Sequence, residues 1–254
     1  MFCEAILPTP ILSNPDFSRI FREFPLDSRG HLRELEMIAL PKTIFHVKKR
    51  YPTGIYEIQT DIYPIDKKLF IDHRFVQEIN KRSFANKMLL PSVVLQKRLL
   101  GLEGVPYLWG GNYSNGIPQM HSFYPPEREL TPKEKITWSC KGVDCSGLLY
   151  QVTEGLLPRN ASWIAKIGYP LVLKKESTML SKVLPLDVIV YREEMGHHLI
   201  IILDEKHCIE SREKNGVVIT DLFSRLEEIT QSKRYVYEGE GLMCNTFTIR
   251  RWYP

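Results

Sequence analysis

The sequence predicts an α+β protein in which a small all-β domain, residues 1–83, precedes a larger mixed domain, residues 84–254. Short β-rich runs separated by proline, glycine and charged turns predict the first domain. A polar tetrad that leads into a helical apolar pattern, followed later by a continuous apolar run of strand length, predicts the second. A chain of 254 residues, 43% hydrophobic and 25% charged, is long enough for both.

Composition excludes several classes of protein. The net charge is only +4, and the sequence lacks the clustered lysine and arginine of a nucleic-acid binder. The five cysteines are widely spaced without a Cys-x-x-Cys pair, so neither a disulfide framework nor a zinc site is indicated. Pro8 and Pro10 break the N-terminus, which is unlike a secretory signal, and no apolar run approaches the roughly 18 residues of a membrane span. We therefore expect a cytoplasmic monomer with no metal or cofactor.

The predicted first domain begins with a proline-interrupted stretch, residues 1–30, which suggests an irregular arm. β-rich runs then follow at residues 37–40, 43–47, 54–60 and 69–72. Their spacing suits a small barrel, and the pattern resembles a bacterial SH3-like domain with residues 69–76 as its closing strand and terminal turn. Residues 77–90 are expected to form the linker.

A helix and a long insertion open the predicted second domain. Ser92 is expected to cap a helix whose apolar stripe is Val93, Val94, Leu95, Leu99 and Leu100. Residues 112–143 are too polar and proline-rich for a core element, so we expect an insertion that rims a binding site. Structural roles are favoured for its His121 and Cys140.

The tetrad Asp144-Cys145-Ser146-Gly147 leads into apolar residues at helical spacing and predicts a helix that starts near Cys145. Asp144 and Ser146 are the candidate caps. Unpaired backbone N–H groups and the helix dipole at such a start favour a thiolate. This segment alone supports a buried structural cysteine and a nucleophile equally.

Strands are predicted at residues 184–191, 196–204, 208–211, 217–220 and 247–250, the second buried on both faces. His197 and His198 stand at the mouth of that buried strand. Antiparallel pairing with the next strand would bring Glu210 level with the histidines, where it could accept the Nδ1–H of His198. Only one of two neighbouring histidines on a strand can face Cys145, and strand geometry leaves the choice open.

Four blocks in this order, at residues 106–111, 144–148, 184–190 and 198–203, resemble the NlpC family of papain-like cysteine peptidases over about residues 85–230. The resemblance implies a papain-like catalytic domain. It also implies that Cys145 is the nucleophile, that His198 is the base, and that Glu210, twelve positions later, orients it. The residues implied to line the substrate pocket are Tyr107, Trp109, Asp144 and Ser146.

The chain departs from the family pattern at three places. Its 112–143 stretch is longer than usual, and Glu210 replaces the more usual histidine, asparagine or glutamine. Leu186 and Ile200 stand where glycine is common, and packing is expected to absorb both.

The expected activity is hydrolysis of peptidoglycan stem peptides, at the γ-D-glutamyl–diamino acid bond of short free peptides. The alternatives are an amidase or acyltransferase of the same superfamily and a non-catalytic wall-binding protein. Peptidoglycan-derived peptides are the expected partners, with no nucleic acid and no membrane.

Overall fold

The computed structural model describes residues 1–80, 87–171, 181–194, 196–239 and 241–254. It divides into two compact units. The first unit comprises Met1–Lys87 and Pro106–Asp144, and the second comprises Met88–Val105 and Cys145–Pro254. Antiparallel sheets and short helices make both units mixed, which confirms the predicted α+β class. The all-β prediction for residues 1–83 is wrong, because this region contains the helix Phe17–Glu23. The boundary between residues 83 and 84 stays a prediction.

The helices are α1 (Phe17–Glu23), α2 (Ser92–Leu100), α3 (Gln119–Phe123), α4 (Pro132–Trp138), α5 (Cys145–Val152), α6 (Ala161–Ile164) and α7 (Leu222–Thr230). The strands are β1 (Phe2–Ala5), β2 (Thr9–Leu12), β3 (Leu35–Ala39), β4 (Ile44–Arg50), β5 (Ile55–Gln59), β6 (Leu69–Asp72), β7 (Val76–Ile79), β8 (Asn112–Tyr113), β9 (Gly142–Val143), β10 (Tyr169–Pro170), β11 (Val188–Glu193), β12 (Gly196–Ile202), β13 (His207–Arg212), β14 (Gly216–Asp221), β15 (Arg234–Tyr235) and β16 (Thr246–Arg251). None of these helices is long and apolar enough to cross a membrane.

The main sheet of the first unit has the strand order β3-β2-β6-β5-β4-β1-β7. Among the described residues, its two end strands are not paired with each other, so a closed SH3-like barrel is not confirmed. The 3-10 turn His73–Phe75 follows β6, as the sequence pattern suggested. Residues 81–86 of the expected linker lie outside the described part of the chain.

The expectation of an irregular N-terminal arm is wrong. Residues 1–30 contain β1, which pairs with β4 and β7, and β2, which pairs with β3 and β6. They also contain α1, whose cap Asp16 accepts a hydrogen bond from the backbone N–H of Arg19 at 3.0 Å. Pro8 and Pro15 lie just outside these elements, so they separate regular segments instead of preventing them.

The expectation that residues 112–143 contribute no core element is also wrong. Trp138 at the end of α4 is 2% exposed, and its ring lies 4.8 Å from that of Phe24 and 5.5 Å from that of Phe21. Thr131 and Glu134 form a capping box, and Pro132 occupies the first turn, where its missing N–H costs nothing. Prolines that suggested a loop therefore mark a helix start.

The sheet of the second unit has the order β10-β16-β11-β12-β13-β14, with β15 beside β16. Its central strand β12 has four successive residues, Leu199 to Ile202, that are 0% exposed, which confirms burial on both faces. The helix α2 differs from its prediction in two respects. Pro91 precedes it without a side-chain cap, and Val93 and Leu100 are exposed, so only Leu95 and Leu99 of the stripe are buried.

Candidate active site

Cys145 is the first residue of α5, in the second unit, and is 9% exposed. The helix packs against β12 and β13, and its N-terminus lies at the end of β12 that carries the histidines. The Cys145 Sγ lies 3.7 Å from the backbone oxygen of His197, the residue before the predicted base. The helix start thus places the thiol beside the head of β12.

His198 and Glu210 form a direct pair, with 2.6 Å between His198 Nε2 and Glu210 Oε2. Strand register explains the contact. Ile202 pairs with Cys208, and alternate residues along each strand point to one face of the sheet. His198 and Glu210 therefore lie on the same face, as diagonal neighbours. The Glu210 side chain is 0% exposed and that of His198 is 14% exposed. The predicted pairing is present, but through Nε2 of the ring and not through the expected Nδ1.

Charge and hydrogen bonding in this cluster favour the ionised forms of both partners. Burial by itself lowers the pKa of His198, but hydrogen bonds to Cys145 and Glu210 and attraction to both raise the pKa to about 10. Burial by itself raises the pKa of Glu210, but hydrogen bonds from His198 and Arg212 and attraction to His198 and Arg225 lower the pKa to about 2. Since Glu210 occupies Nε2, Nδ1 is the ring nitrogen left for Cys145.

Two arginines complete the surroundings of Glu210, and sequence reasoning missed both. Arg212 Nη2 lies 2.6 Å and Arg225 Nε 2.8 Å from Glu210 Oε1. Arg225 also donates to the hydroxyl of Tyr191 at 2.6 Å. One signal was available: Arg225 interrupts the apolar stripe of α7, and a charge in such a stripe needs a buried partner.

Ser146, a predicted pocket residue, follows Cys145 in α5 and is 5% exposed. Its hydroxyl accepts a hydrogen bond from Arg159 Nη1 at 3.0 Å. Arg159 is itself only 2% exposed. No sequence spacing pointed to Arg159, because it lies in an irregular segment after α5.

Tyr107, Trp109 and Asp144 belong to the first unit. The His31 ring lies 5.6 Å from the Tyr107 ring and stacks on the Trp109 ring at 6.0 Å. The Arg33 guanidinium lies 4.0 Å from the centre of the Trp109 ring. The backbone N–H of Asp144 donates to Gly111 at 2.9 Å. Sequence reasoning missed His31 and Arg33, which lie in the segment between α1 and β3.

Two other residues of the insertion were noted in the sequence, Cys140 and His121. Cys140 is 0% exposed, and burial raises the pKa of its thiol to about 12. His121 is exposed. Within the described ranges, no group of three or more histidine, cysteine, aspartate or glutamate residues is placed to hold a metal ion.

Neither a family model nor a curated protein matches this chain. Among solved structures, an NlpC/P60 family protein from Bacillus cereus ATCC 10987 is 18% identical, with a TM-score of 0.42, and the match covers 100% of this chain and 63% of that one. The peptidoglycan hydrolase RipB from Mycobacterium tuberculosis is 20% identical, with a TM-score of 0.38 and coverage of 64% of this chain and 65% of that one.

RipD from Mycobacterium tuberculosis, described as a non-catalytic NlpC/p60 domain protein adapted to peptidoglycan binding, is 22% identical. Its TM-score is 0.36, and the match covers 52% of this chain and 87% of that one. The match with the Bacillus cereus protein spans less than two thirds of that protein's chain.

Proposed function

We propose that this protein is a cysteine peptidase that hydrolyses peptidoglycan stem peptides. The observation that carries the proposal is the set formed by Cys145 at a helix start, His198 beside it and Glu210 bound to the far side of the imidazole. A nucleophile, a base and a group that orients the base are the minimal parts of nucleophilic acyl transfer.

The reaction proceeds through an acyl-enzyme. The Cys145 thiolate attacks the scissile carbonyl carbon, and backbone N–H groups in the first turn of α5 are the candidate donors to the oxyanion. The His198 imidazolium then gives the Nδ1 proton to the leaving amine as the C–N bond breaks. Neutral His198 next takes a proton from water, whose hydroxide attacks the thioester. The C–S bond breaks, which releases the carboxylic acid and restores the Cys145 thiolate beside the His198 imidazolium.

The substrate class comes from the four sequence blocks that resemble the NlpC family. We assign the γ-D-glutamyl–diamino acid bond of short free peptides as the one cleaved, with Tyr107, Trp109, Asp144 and Ser146 binding the peptide. The SH3-like character of the first unit, the monomeric state and the cytoplasmic location remain predictions that accompany this assignment.

The direct test is incubation of the protein with L-Ala-γ-D-Glu-meso-diaminopimelate and detection of the dipeptide by mass spectrometry. We expect product from the wild type and at least about a 1,000-fold loss in Cys145→Ala, because removal of the nucleophile removes the covalent route. Cys244→Ala is the matched control, since Cys244 is exposed and outside the site. Absence of product from the wild type, or equal product from Cys145→Ala, contradicts the proposal.

A substrate panel separates the alternatives. A peptidase for short free peptides should prefer the tripeptide to a muramyl-peptide and to intact sacculi. An amidase or acyltransferase would act on a different amide in the panel. A wall-binding protein would sediment with sacculi and yield no product from any of them.

A further inference from the structure

The two oxygens of Glu210 have different nearest partners. Oε2 lies 2.6 Å from His198 Nε2, while Oε1 lies 2.6 Å from Arg212 Nη2 and 2.8 Å from Arg225 Nε. A carboxylate bound on both oxygens cannot rotate without breaking an ionic hydrogen bond. The two arginines, which bind Oε1, therefore fix the orientation of Glu210 toward His198.

Arg225 is a buried arginine. Its side chain is 9% exposed, and it comes from α7, a helix whose other buried residues are Leu222, Leu226 and Ile229. Arg225 Nη2 reaches both Glu210 Oε2, at 3.2 Å, and the Tyr191 hydroxyl, at 2.6 Å. Tyr191 pairs directly with His198 across β11 and β12, and their rings lie 5.3 Å apart. The arginine thus supports both neighbours of the histidine.

The charged and titratable groups around Glu210 come from several elements. They are His198 on β12, Tyr191 on β11, Cys208 and Arg212 on β13, Arg225 and Glu228 on α7, and Cys145 on α5, which reaches Glu210 through His198. Glu228 Oε2 lies 2.6 Å from Arg225 Nη1, but its side chain is 64% exposed, so water screens its charge. The fully buried Glu210 carboxylate therefore faces two arginines besides the histidine.

We propose that Arg225 and Arg212 are positioning residues for this site. They hold Glu210 as an anion with Oε2 on His198, and they thereby keep the Cys145–His198 pair reactive in mildly acidic solution. The inference rests on the proposed function, because it assigns roles within the same site, but it concerns the protonation of Glu210 and not the identity of the peptide. A carboxyl group that gained a proton could no longer stabilise the imidazolium that accompanies the thiolate.

The pH dependence of Cys145 alkylation tests this without any peptide substrate. The rate constant with iodoacetamide is measured from pH 3 to 9 by peptide mass spectrometry, which separates Cys145 from the exposed internal reference Cys244. In Arg225→Met we expect the loss of one adjacent opposite charge to raise the pKa of Glu210 from about 2 by about 1–3. The acid limb of the Cys145 profile should then move to higher pH. Arg225→Lys keeps the charge and should show a clearly smaller shift.

Arg234→Met is the matched control, because it removes an exposed positive charge from the same unit. Its profile should coincide with that of the wild type. If Arg225→Met does not fold, Arg212→Met replaces it, since Arg212 contacts the same oxygen from a position that is 32% exposed. The acid limb should again move to higher pH.

Two results overturn the inference: an unmoved acid limb in the folded Arg225→Met or Arg212→Met protein, or an equal shift in Arg225→Lys and Arg225→Met. The tripeptide assay is read separately. A shifted profile in a protein that cleaves no tripeptide leaves the positioning role intact and removes only the proposed function. Cleavage of the tripeptide with an unshifted profile does the reverse.

Discussion

The neighbours of His198 favour its protonated form, and this links the stability of the folded protein to pH. The pKa of His198 is raised from an ordinary 6.5 to about 10, so the folded state binds the proton more tightly than the unfolded chain. The stabilisation is complete below about pH 6.5 and is lost as pH rises toward 10. For Glu210, whose pKa is lowered to about 2 from 4.5, the stabilisation is present above about pH 4.5 and is lost as pH falls toward 2.

We therefore expect the difference in unfolding free energy between the wild type and His198→Gln to be largest near pH 6. The difference should shrink steadily between pH 6.5 and 10, because the folded protein loses its bound proton there. Urea denaturation at several pH values under reducing conditions measures it. His207→Gln is the control, since His207 begins β13 and its side chain is 51% exposed. A difference that stays constant or grows with pH would contradict the pairing.

Single residues of the site were predictable where they carry chemistry at a characteristic spacing. Cys145, His198 and Glu210 come together because a helix start and two adjacent strands place them on one side of the sheet. Strand alternation alone left His197 and His198 open, and the family resemblance was needed to select between them. Arg225 was missed because it lies on a separate helix, where its position in the apolar stripe of α7 was the one signal for it.

The turn that leads into β11 holds a leucine at a position where the sequence resemblance led us to expect glycine. Leu186 has φ of 73°, in the left-handed region, and its side chain is 0% exposed. Its backbone N–H donates to Ile202 on β12 at 2.8 Å, which fixes the turn to the strand. Packing absorbs the side chain as expected, but the backbone conformation still costs about 1–2 kcal/mol in a residue with a Cβ. Ile200 is likewise fully buried.

Substitutions at Leu186 should separate packing from backbone strain. Leu186→Ala loses the buried side chain and should destabilise the protein by about 2–5 kcal/mol. Leu186→Gly loses the same contacts but relieves the strain. Its free energy of unfolding should therefore equal that of Leu186→Ala or exceed it by up to about 1 kcal/mol. Urea denaturation gives both values. At Ala161, a helical site, glycine should instead be the less stable choice relative to alanine, which provides the control.

At the level of elements, apolar patterning predicted β11 to β14 and β16 well because each strand contains consecutive or alternating apolar residues and is bounded by turns. Proline misled the prediction elsewhere. Pro132 begins α4 and Pro15 precedes α1, although both lie in proline-rich stretches that predict irregular chain. A proline at a first turn and a proline in a loop look alike until the capping residues, Thr131 and Asp16, are considered with them.

At the scale of the whole molecule, the two compact units are not continuous in sequence, since residues 106–144 group with the N-terminal residues. Local sequence patterns could not reveal this grouping, because it depends on long-range contacts such as those of Trp138 with Phe21 and Phe24. The all-β character of residues 35–79 was predictable, whereas the strand order of the sheet was not.

A fragment of residues 84–254 tests the predicted domain boundary. It lacks Phe21 and Phe24, so we expect α4 to lose its amide protection relative to the full chain. Strand β12, whose paired strands β11 and β13 are retained, is the internal control and should stay protected if the second unit folds. Hydrogen exchange read by mass spectrometry compares them. Equal protection of α4 in the fragment and the full chain would instead support an independent 84–254 domain.

The central claim is that Cys145 is a nucleophile activated by His198 toward a γ-D-glutamyl carbonyl. The most direct measurement uses L-Ala-γ-D-Glu chloromethyl ketone, in which a chloromethyl group replaces the leaving amine, with the labelled residue located by peptide mass spectrometry. We predict one label per chain, on Cys145 and not on the exposed Cys244, and labelling slowed by about 100-fold or more in His198→Gln, as loss of a catalytic base commonly does. Labelling of Cys244 in preference to Cys145, or an unchanged rate in folded His198→Gln, would contradict the account.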